Sequence, residues 1–376
     1  MDGMMAETQR IEGIEWRGFR VPFNRPFATS QGVAGDRYGL LLFVTMSDGA
    51  TGVGEASPVG AGSHTEVEAI AALLAATAPS LVGLTVDEAF RESAASRADG
   101  VLAFGLETAL YDLLGKAKGL SLAALLGGNP RPVTVNATIA VDDIAEAVRQ
   151  ASEAVAQGFT CLKVKVGGTT PQGDEALLDA VRAAVGPNVT LRADANGAWS
   201  ADQAMERLSR LERFNLEYVE QPVAPGDVAG LATVRRAVSV PIAADEAVVD
   251  VDSARKLLDA NAADVLVVKP AAVGGLQSGS AIMRLAIERG CRSVVTSSLE
   301  SGVGVAAALH LAACGSADMP ACGLATASLL ERDLLTAPLV PVNGALAIPS
   351  GPGLGVEVDM AALERYSIGI KGSTTA

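Results

Sequence analysis

Five short charged stretches recur along the middle of the chain: Lys163-Val164-Lys165, Asp194-Ala195-Asn196, Glu220-Gln221-Pro222, Asp245-Glu246 and Lys269-Pro270. From Lys165 to Asp194, Glu220, Asp245 and Lys269 the steps are 29, 26, 25 and 24 residues. Each stretch closes an apolar, β-branched run, so one charged group recurs per repeat at the same phase. Carboxylates on three neighbouring strand ends form an oxygen-only cluster that repels itself unless a hard divalent cation sits there. Mg²⁺ suits few carboxylates plus substrate oxygens, with Mn²⁺ as a substitute. An ammonium beside a second ammonium and a metal ion is disfavoured, which lowers its pKa toward the range of a general base. A metal with a base on either side is the arrangement needed to remove a proton α to a carboxylate and to hold the resulting enediolate.

Period-two alternation puts Cys161, Lys163 and Lys165 on one strand face and Arg192, Asp194 and Asn196 on one face of the next. By the same rule only one of Asp245 and Glu246 points inward, and periodicity alone does not say which. A lone Lys-Xaa-Lys is ordinarily a solvated strand edge, and a lone acid at a strand end often caps the next helix. Five such residues in phase speak against that reading of the set. Asp174, Asp202 and Asp252 look like helix starts. His64 takes no role, His310 lies in an apolar helix and packs there, and the four cysteines read as core. Gly274-Gly275 reads as a plain turn, with a phosphate cradle as the alternative.

The elements that must position these groups form a repeat. The strand-like runs are Val133–Ala140, Thr160–Val166, Val189–Ala195, Leu216–Pro222, Pro241–Ala247, Ala263–Pro270 and Arg292–Ser298. Amphipathic segments such as Ala201–Arg213 and Val251–Ala260 lie between them. This α/β pattern, with a period of roughly 25 residues, fits a parallel TIM-type barrel better than an open sheet, though period alone does not separate the two; in such a barrel function collects at the C-terminal strand ends. Residues 1–130 read as an α+β unit, with a hairpin through Gly39–Met46 and Thr51–Glu55 and helices near 65–77, 86–97 and 100–117. The barrel occupies 131–325, and 326–376 packs back on the first unit.

Apolar residues make up 49% of the 376 and charged residues 19%, a composition that excludes disorder as the main state. The net charge of −14 disfavours nucleic acid and anionic membranes as partners. A small anionic substrate needs a cation or local lysines to reverse that field. Four cysteines without a CxxC pair and two histidines exclude zinc-finger patterns and suit a reducing compartment. Met1–Glu7 has no basic or apolar signal region, so a cytoplasmic location is expected. The sequence leaves a homo-oligomer open.

Together these motifs resemble the enolase superfamily, muconate-lactonizing subgroup, over nearly the whole chain. The resemblance implies a (β/α)7β TIM-type barrel with an N-terminal capping domain completed by the C-terminal tail. It implies Asp194, Glu220 and Asp245 as Mg²⁺ ligands, Lys165 as acid/base, Lys163 as its electrostatic neighbour and Lys269 on the opposite face of the substrate. Within the subgroup, Thr296–Gly304 and Ala321–Thr326 are similar to o-succinylbenzoate synthases, the dehydratases of menaquinone biosynthesis. Dipeptide epimerases carry an Asp-Xaa-Asp near the eighth strand, whereas Cys322–Ala325 offers no carboxylate. N-succinylamino acid racemases often have an Arg shortly after the strand-six lysine, where Ala271-Ala272 stands here. The implied activity is a Mg²⁺-dependent syn-elimination of water, with a racemase or cycloisomerase on the same site as the alternative. Asn196, Ser297, Ser298 and Arg25 are the expected substrate contacts, and Asn24–Ser30 and Gly54–Pro58 the expected specificity segments of the cap.

Overall fold

The computed structural model describes residues 9–29, 32–95 and 100–376. Alternating apolar residues build β1 (Ile11–Thr29), β2 (Gly32–Met46) and β3 (Thr51–Glu55), paired antiparallel in that order. Ile14, Trp16, Leu40, Leu42 and Val44 of this sheet share a core with Val67, Ile70 and Leu74 of α1 (His64–Leu81). That core also takes Ala89 of α2 (Val86–Ala95) and Leu106 and Leu110 of α3 (Gly100–Lys118). Residues 96 and 97 of the expected second helix lie outside the described residues. Two glycines allow β3 and α3 to touch: a Cβ on Gly54 would lie 1.9 Å from the Gly105 carbonyl oxygen. The short α4 (Leu122–Leu125) leads into the second body.

There the expected strand Val133–Ala140 divides into β4 (Val133–Thr134), which pairs with Ala345–Leu346, and β5 (Ala137–Ile139). Then follow β6 (Cys161–Lys165), β7 (Thr190–Asp194), β8 (Leu216–Glu220), β9 (Ile242–Ala244), β10 (Val265–Val268) and β11 (Arg292–Val295). Strands β5 to β11 form one parallel sheet in chain order. Between and after them run α5 (Ile144–Ala156), α6 (Pro171–Val185), α7 (Ala201–Leu211), α8 (Val228–Ala237), α9 (Val251–Asp259), α10 (Leu276–Glu288) and α11 (Gly302–Ala312). Outward residues such as Leu162, Val164, Leu191, Ala193 and Val219 pack on the helices. Tyr218, Ala243, Val265, Val267 and Val294 form a separate cluster, which strand alternation places inside the curl.

The sheet closes through a segment too short to be a strand. Gly323 bridges Thr296 and Cys322 bridges Val135, both parallel. The Gly323 N–H donates to Val295 O (3.0 Å) and the Asn136 N–H to Cys322 O (3.0 Å). The chain ends with β12 (Ala345–Leu346), α12 (Met360–Arg365) and β13 (Ser367–Thr375). β13 lies antiparallel along β1, from Gly13 opposite Thr375 to Phe19 opposite Ser367, and so completes the cap sheet. Among the described residues no helix is long and apolar enough to cross a membrane.

Candidate active site

The C-terminal ends of β6, β7 and β8 are in register, with Lys165 opposite Asp194 and Asp194 opposite Glu220. A bulge in β8 makes this possible. Leu191 pairs with Leu216 but Ala193 with Val219, so Glu217 and Tyr218 together oppose Arg192. The Arg192 Nε donates to Glu217 (2.7 Å), and its guanidinium lies 4.6 Å from the Tyr218 ring centre. Its Nη1 donates to Ala321 O (2.6 Å), which ties the closing segment to β7. Sequence reasoning missed this plug, because one extra residue in a five-residue strand leaves no periodic signal.

Beside it stand the charged strand ends. Lys163 Nζ lies 2.8 Å from Glu220 Oε1 and 3.1 Å from Asp194 Oδ2. Lys165 donates to Asp194 Oδ2 (2.7 Å) and Asn196 Oδ1 (2.6 Å), and Lys269 to Asp245 Oδ2 (2.6 Å). Asp194, Glu220 and Asp245 are each buried, at 0%, 1% and 3% exposure. The Gln221 amide oxygen accepts from the Asp245 and Ala247 N–H groups, fixing the turn after β9.

Glu246 departs from the alternation argument. β9 ends at Ala244, so Asp245 and Glu246 lie in the turn beyond it, where period two does not apply. Both reach the site: Asp245 meets Lys269, and Glu246 accepts from Asn196 Nδ2 at 2.8 Å.

Burial pushes Asp194 up, but Lys163 and Lys165 together outweigh it and hold its carboxyl well below the usual range. Glu220 is pushed the other way, to about 8, by burial and then by Asp194. Burial lowers Lys163 and Lys269, yet facing carboxylates leave both above the ordinary ammonium range. Each ammonium pairs with a carboxylate, and that attraction exceeds repulsion from the neighbouring lysine.

Among the described residues no three acidic, cysteine or histidine side chains stand close enough, as placed, to chelate an ion. Lysines pair with the carboxylates instead. The donor set still fits a hard divalent cation: it is oxygen-only, and Asp245 Oδ1 is buried without a hydrogen-bond partner.

The other expected contacts are scattered. Ser297 Oγ lies 2.6 Å from Thr326 Oγ1, and the Ser298 N–H donates to Glu300 while its Oγ is buried without a partner. Arg25 pairs with Glu146 of α5 (2.9 Å), with 66% of its side chain exposed, and joins none of the strand-end carboxylates. Ser30 lies outside the described residues. Glu55 of the other cap segment is seated on the start of α11, accepting from the Ser301 N–H (3.0 Å), Ser301 Oγ (2.5 Å) and the Gly304 N–H (3.0 Å). His310 packs as expected: its Nδ1 accepts from the Ala123 N–H, so Nε2 carries the proton and donates to Leu354 O.

The Gly274-Gly275 turn holds a carboxyl group from the chain itself. Glu107 of the cap accepts from the Leu276 (2.6 Å) and Gln277 (3.2 Å) N–H groups, and a Cβ on Gly275 would lie 2.4 Å from its oxygen. Burial raises Glu107 from 4.5 to about 7, against the pull of those two N–H groups. A folded pKa above the unfolded one means that native stability falls as pH rises from 4.5 to 7. The loss is up to about 3 kcal/mol at about 1.36 kcal/mol per pH unit. Glu107→Gln should therefore gain melting temperature over wild type between pH 5 and 8 and level off above. A difference that does not change with pH would contradict this.

A family model described as "Enolase C-terminal domain-like" matches residues 146–362. A second, "Mandelate racemase / muconate lactonizing enzyme, N-terminal domain", matches residues 14–127. The chain is 45% identical to an o-succinylbenzoate synthase of Thermobifida fusca over 59% of its own length and 69% of that protein. It is 32% identical to an N-succinylamino acid racemase of Thermus thermophilus, covering 96% of this chain and 98% of that one. A crystal structure of a dipeptide epimerase from Cytophaga hutchinsonii, complexed with Mg and the dipeptide D-Ala-L-Val, superposes with a TM-score of 0.88. The two are 27% identical, over 97% of this chain and 99% of the other.

Proposed function

Because the chain belongs to the enolase superfamily, we propose that it is a lyase of the o-succinylbenzoate synthase type. It would eliminate water from a cyclohexadiene carboxylate in menaquinone biosynthesis, in the cytoplasm. The observation that carries the reading is the row of buried carboxylates, Asp194, Glu220 and Asp245, with Lys165 at one end and Lys269 at the other. Those carboxylates would hold Mg²⁺, the ion named for the Cytophaga epimerase complex, and it would supply Lewis-acid polarisation of the substrate carboxylate.

The chain's own groups do the rest. Lys165, held by Asp194 and Asn196, takes the α proton and returns it to the leaving hydroxyl on the same face. Lys269, paired with Asp245, is a fixed cation beside the developing negative charge. Lys163 sets the field between Glu220 and Asp194.

Identity of 45% with the Thermobifida enzyme supports dehydration over racemisation. No carboxylate lies between Cys322 and Ala325 to receive a substrate ammonium, which speaks against dipeptides. A racemase of N-succinylamino acids is the second reading, favoured by 32% identity over nearly the whole chain and by a lysine at each end of the row. Turnover in D₂O with Mg²⁺ on a panel of cyclohexadiene and N-succinyl carboxylates separates them. Dehydration should dominate. Deuterium entering both enantiomers of an N-succinylamino acid at ~10⁴ M⁻¹s⁻¹ or more, with the diene barely consumed, would replace the synthase by the racemase.

A further inference from the structure

Asn196 is bonded at both ends of its amide, and the second partner is a carboxylate outside the expected ligand set. Its Oδ1 accepts from Lys165 Nζ at 2.6 Å, and its Nδ2 donates to Glu246 Oε1 at 2.8 Å. Its backbone is pinned as well, with φ at 44° and its N–H donating to Asp194 Oδ1 (3.1 Å). The two ends of an amide have nearly the same shape, so only its partners decide which end faces the lysine. A carboxylate oxygen can only accept, so Glu246 demands the NH₂ end. The carbonyl end must then face Lys165.

We propose that Glu246 is a positioning residue for Lys165, acting through Asn196. This rests on the reading of Lys165 as the base. Reversed, the amide would turn its NH₂ toward an ammonium, donor against donor, just when Lys165 has taken its proton. With Glu246 in place, Lys165 Nζ has two fixed acceptors, Asp194 Oδ2 and Asn196 Oδ1, and is aimed by both. The negative charge of Glu246 also strengthens the donor–acceptor chain that ends at the lysine. Glu246 Oε2 is buried without a partner, so Asn196 is its one side-chain hydrogen bond among the described residues.

Glu246→Leu keeps the bulk and removes the acceptor. The expected result is kcat lowered roughly 10- to 100-fold, with KM and calorimetric Mg²⁺ affinity each within about twofold of wild type. A tenfold or greater loss of Mg²⁺ affinity would make Glu246 part of the metal site and overturn the proposal, as would an unchanged kcat. A swapped pair guards against misfolding. Asn196→Asp alone sets two carboxylates face to face, whereas Asn196→Asp with Glu246→Gln restores a donor and an acceptor at that contact. The double variant should recover at least about tenfold in kcat over Asn196→Asp, and no recovery would overturn the proposal. Dehydration and racemisation begin with the same proton abstraction. Wild-type turnover on the panel therefore tests the function, and the variant-to-wild-type ratio on whichever substrate reacts tests the positioning. A substrate-free readout completes it. The Asn196 side-chain NH₂ should exchange slowly by ¹H–¹⁵N NMR and at least about tenfold faster in Glu246→Leu. Equal exchange would count against the contact.

Discussion

Lys165→Ala is expected to lower turnover by at least roughly 10²–10⁴-fold, the worth of a general base, and by more if one group serves both proton abstraction and return. The expectation follows from geometry. Lys165 Nζ is the ammonium that both a buried carboxylate and an amide oxygen aim, and its side chain keeps 25% exposure where Lys163 keeps 14%. Lys163 is the more enclosed of the two and bridges Glu220 and Asp194. Lys165→Arg sharpens the test, since a guanidinium keeps the charge but does not give up its proton. If Lys165 is the base, the arginine variant should be as inactive as the alanine variant, in both turnover and α-proton exchange in D₂O. An arginine variant within tenfold of wild type would reduce Lys165 to an electrostatic role.

The lysines and carboxylates were legible from the chain because strand alternation imposes a period of two on them and the recurring unit a period of roughly 25 residues. Where a period fails, so does the reading. β9 ends at Ala244, so the either-or argument for Asp245 and Glu246 had no strand to act on. The bulge at Glu217 and Tyr218 shifts the face of β8 by one residue and brings Glu220 level with Asp194. The closing segment at Cys322 and Gly323 makes only isolated bridges, so it has no run of alternating residues to reveal it. The seam between cap and barrel was invisible for another reason. Glu55 meets Ser301 and Glu107 meets Leu276 across separations of 246 and 169 residues, which no local pattern encodes. Each places a carboxylate at a helix start, where free N–H groups favour an anion.

Asp194→Asn, Glu220→Gln and Asp245→Asn should each lower Mg²⁺ affinity and reduce turnover roughly 10³-fold or more, on the several kcal/mol that a bound cation contributes. They should differ in what they do to the fold. Asp194 Oδ2 is shared by Lys163 and Lys165, so Asp194→Asn removes the charge that both ammoniums face. Lys163, with 14% of its side chain exposed, keeps only Glu220. Breaking a buried pair from one side costs about 3–5 kcal/mol, so Asp194→Asn should show the largest fall in melting temperature of the three. Asp245→Asn frees only Lys269 and should cost less stability, yet it should lose Mg²⁺ affinity as fully, because Asp245 Oδ1, like Glu246 Oε2 beside it, is a buried acceptor left without a partner. Calorimetric Mg²⁺ titration beside thermal melting checks the two orders separately. Glu246→Gln should bind Mg²⁺ better than Asp245→Asn. The reverse order would make Glu246 the ligand, and full activity after EDTA treatment would remove the metal from the reaction altogether.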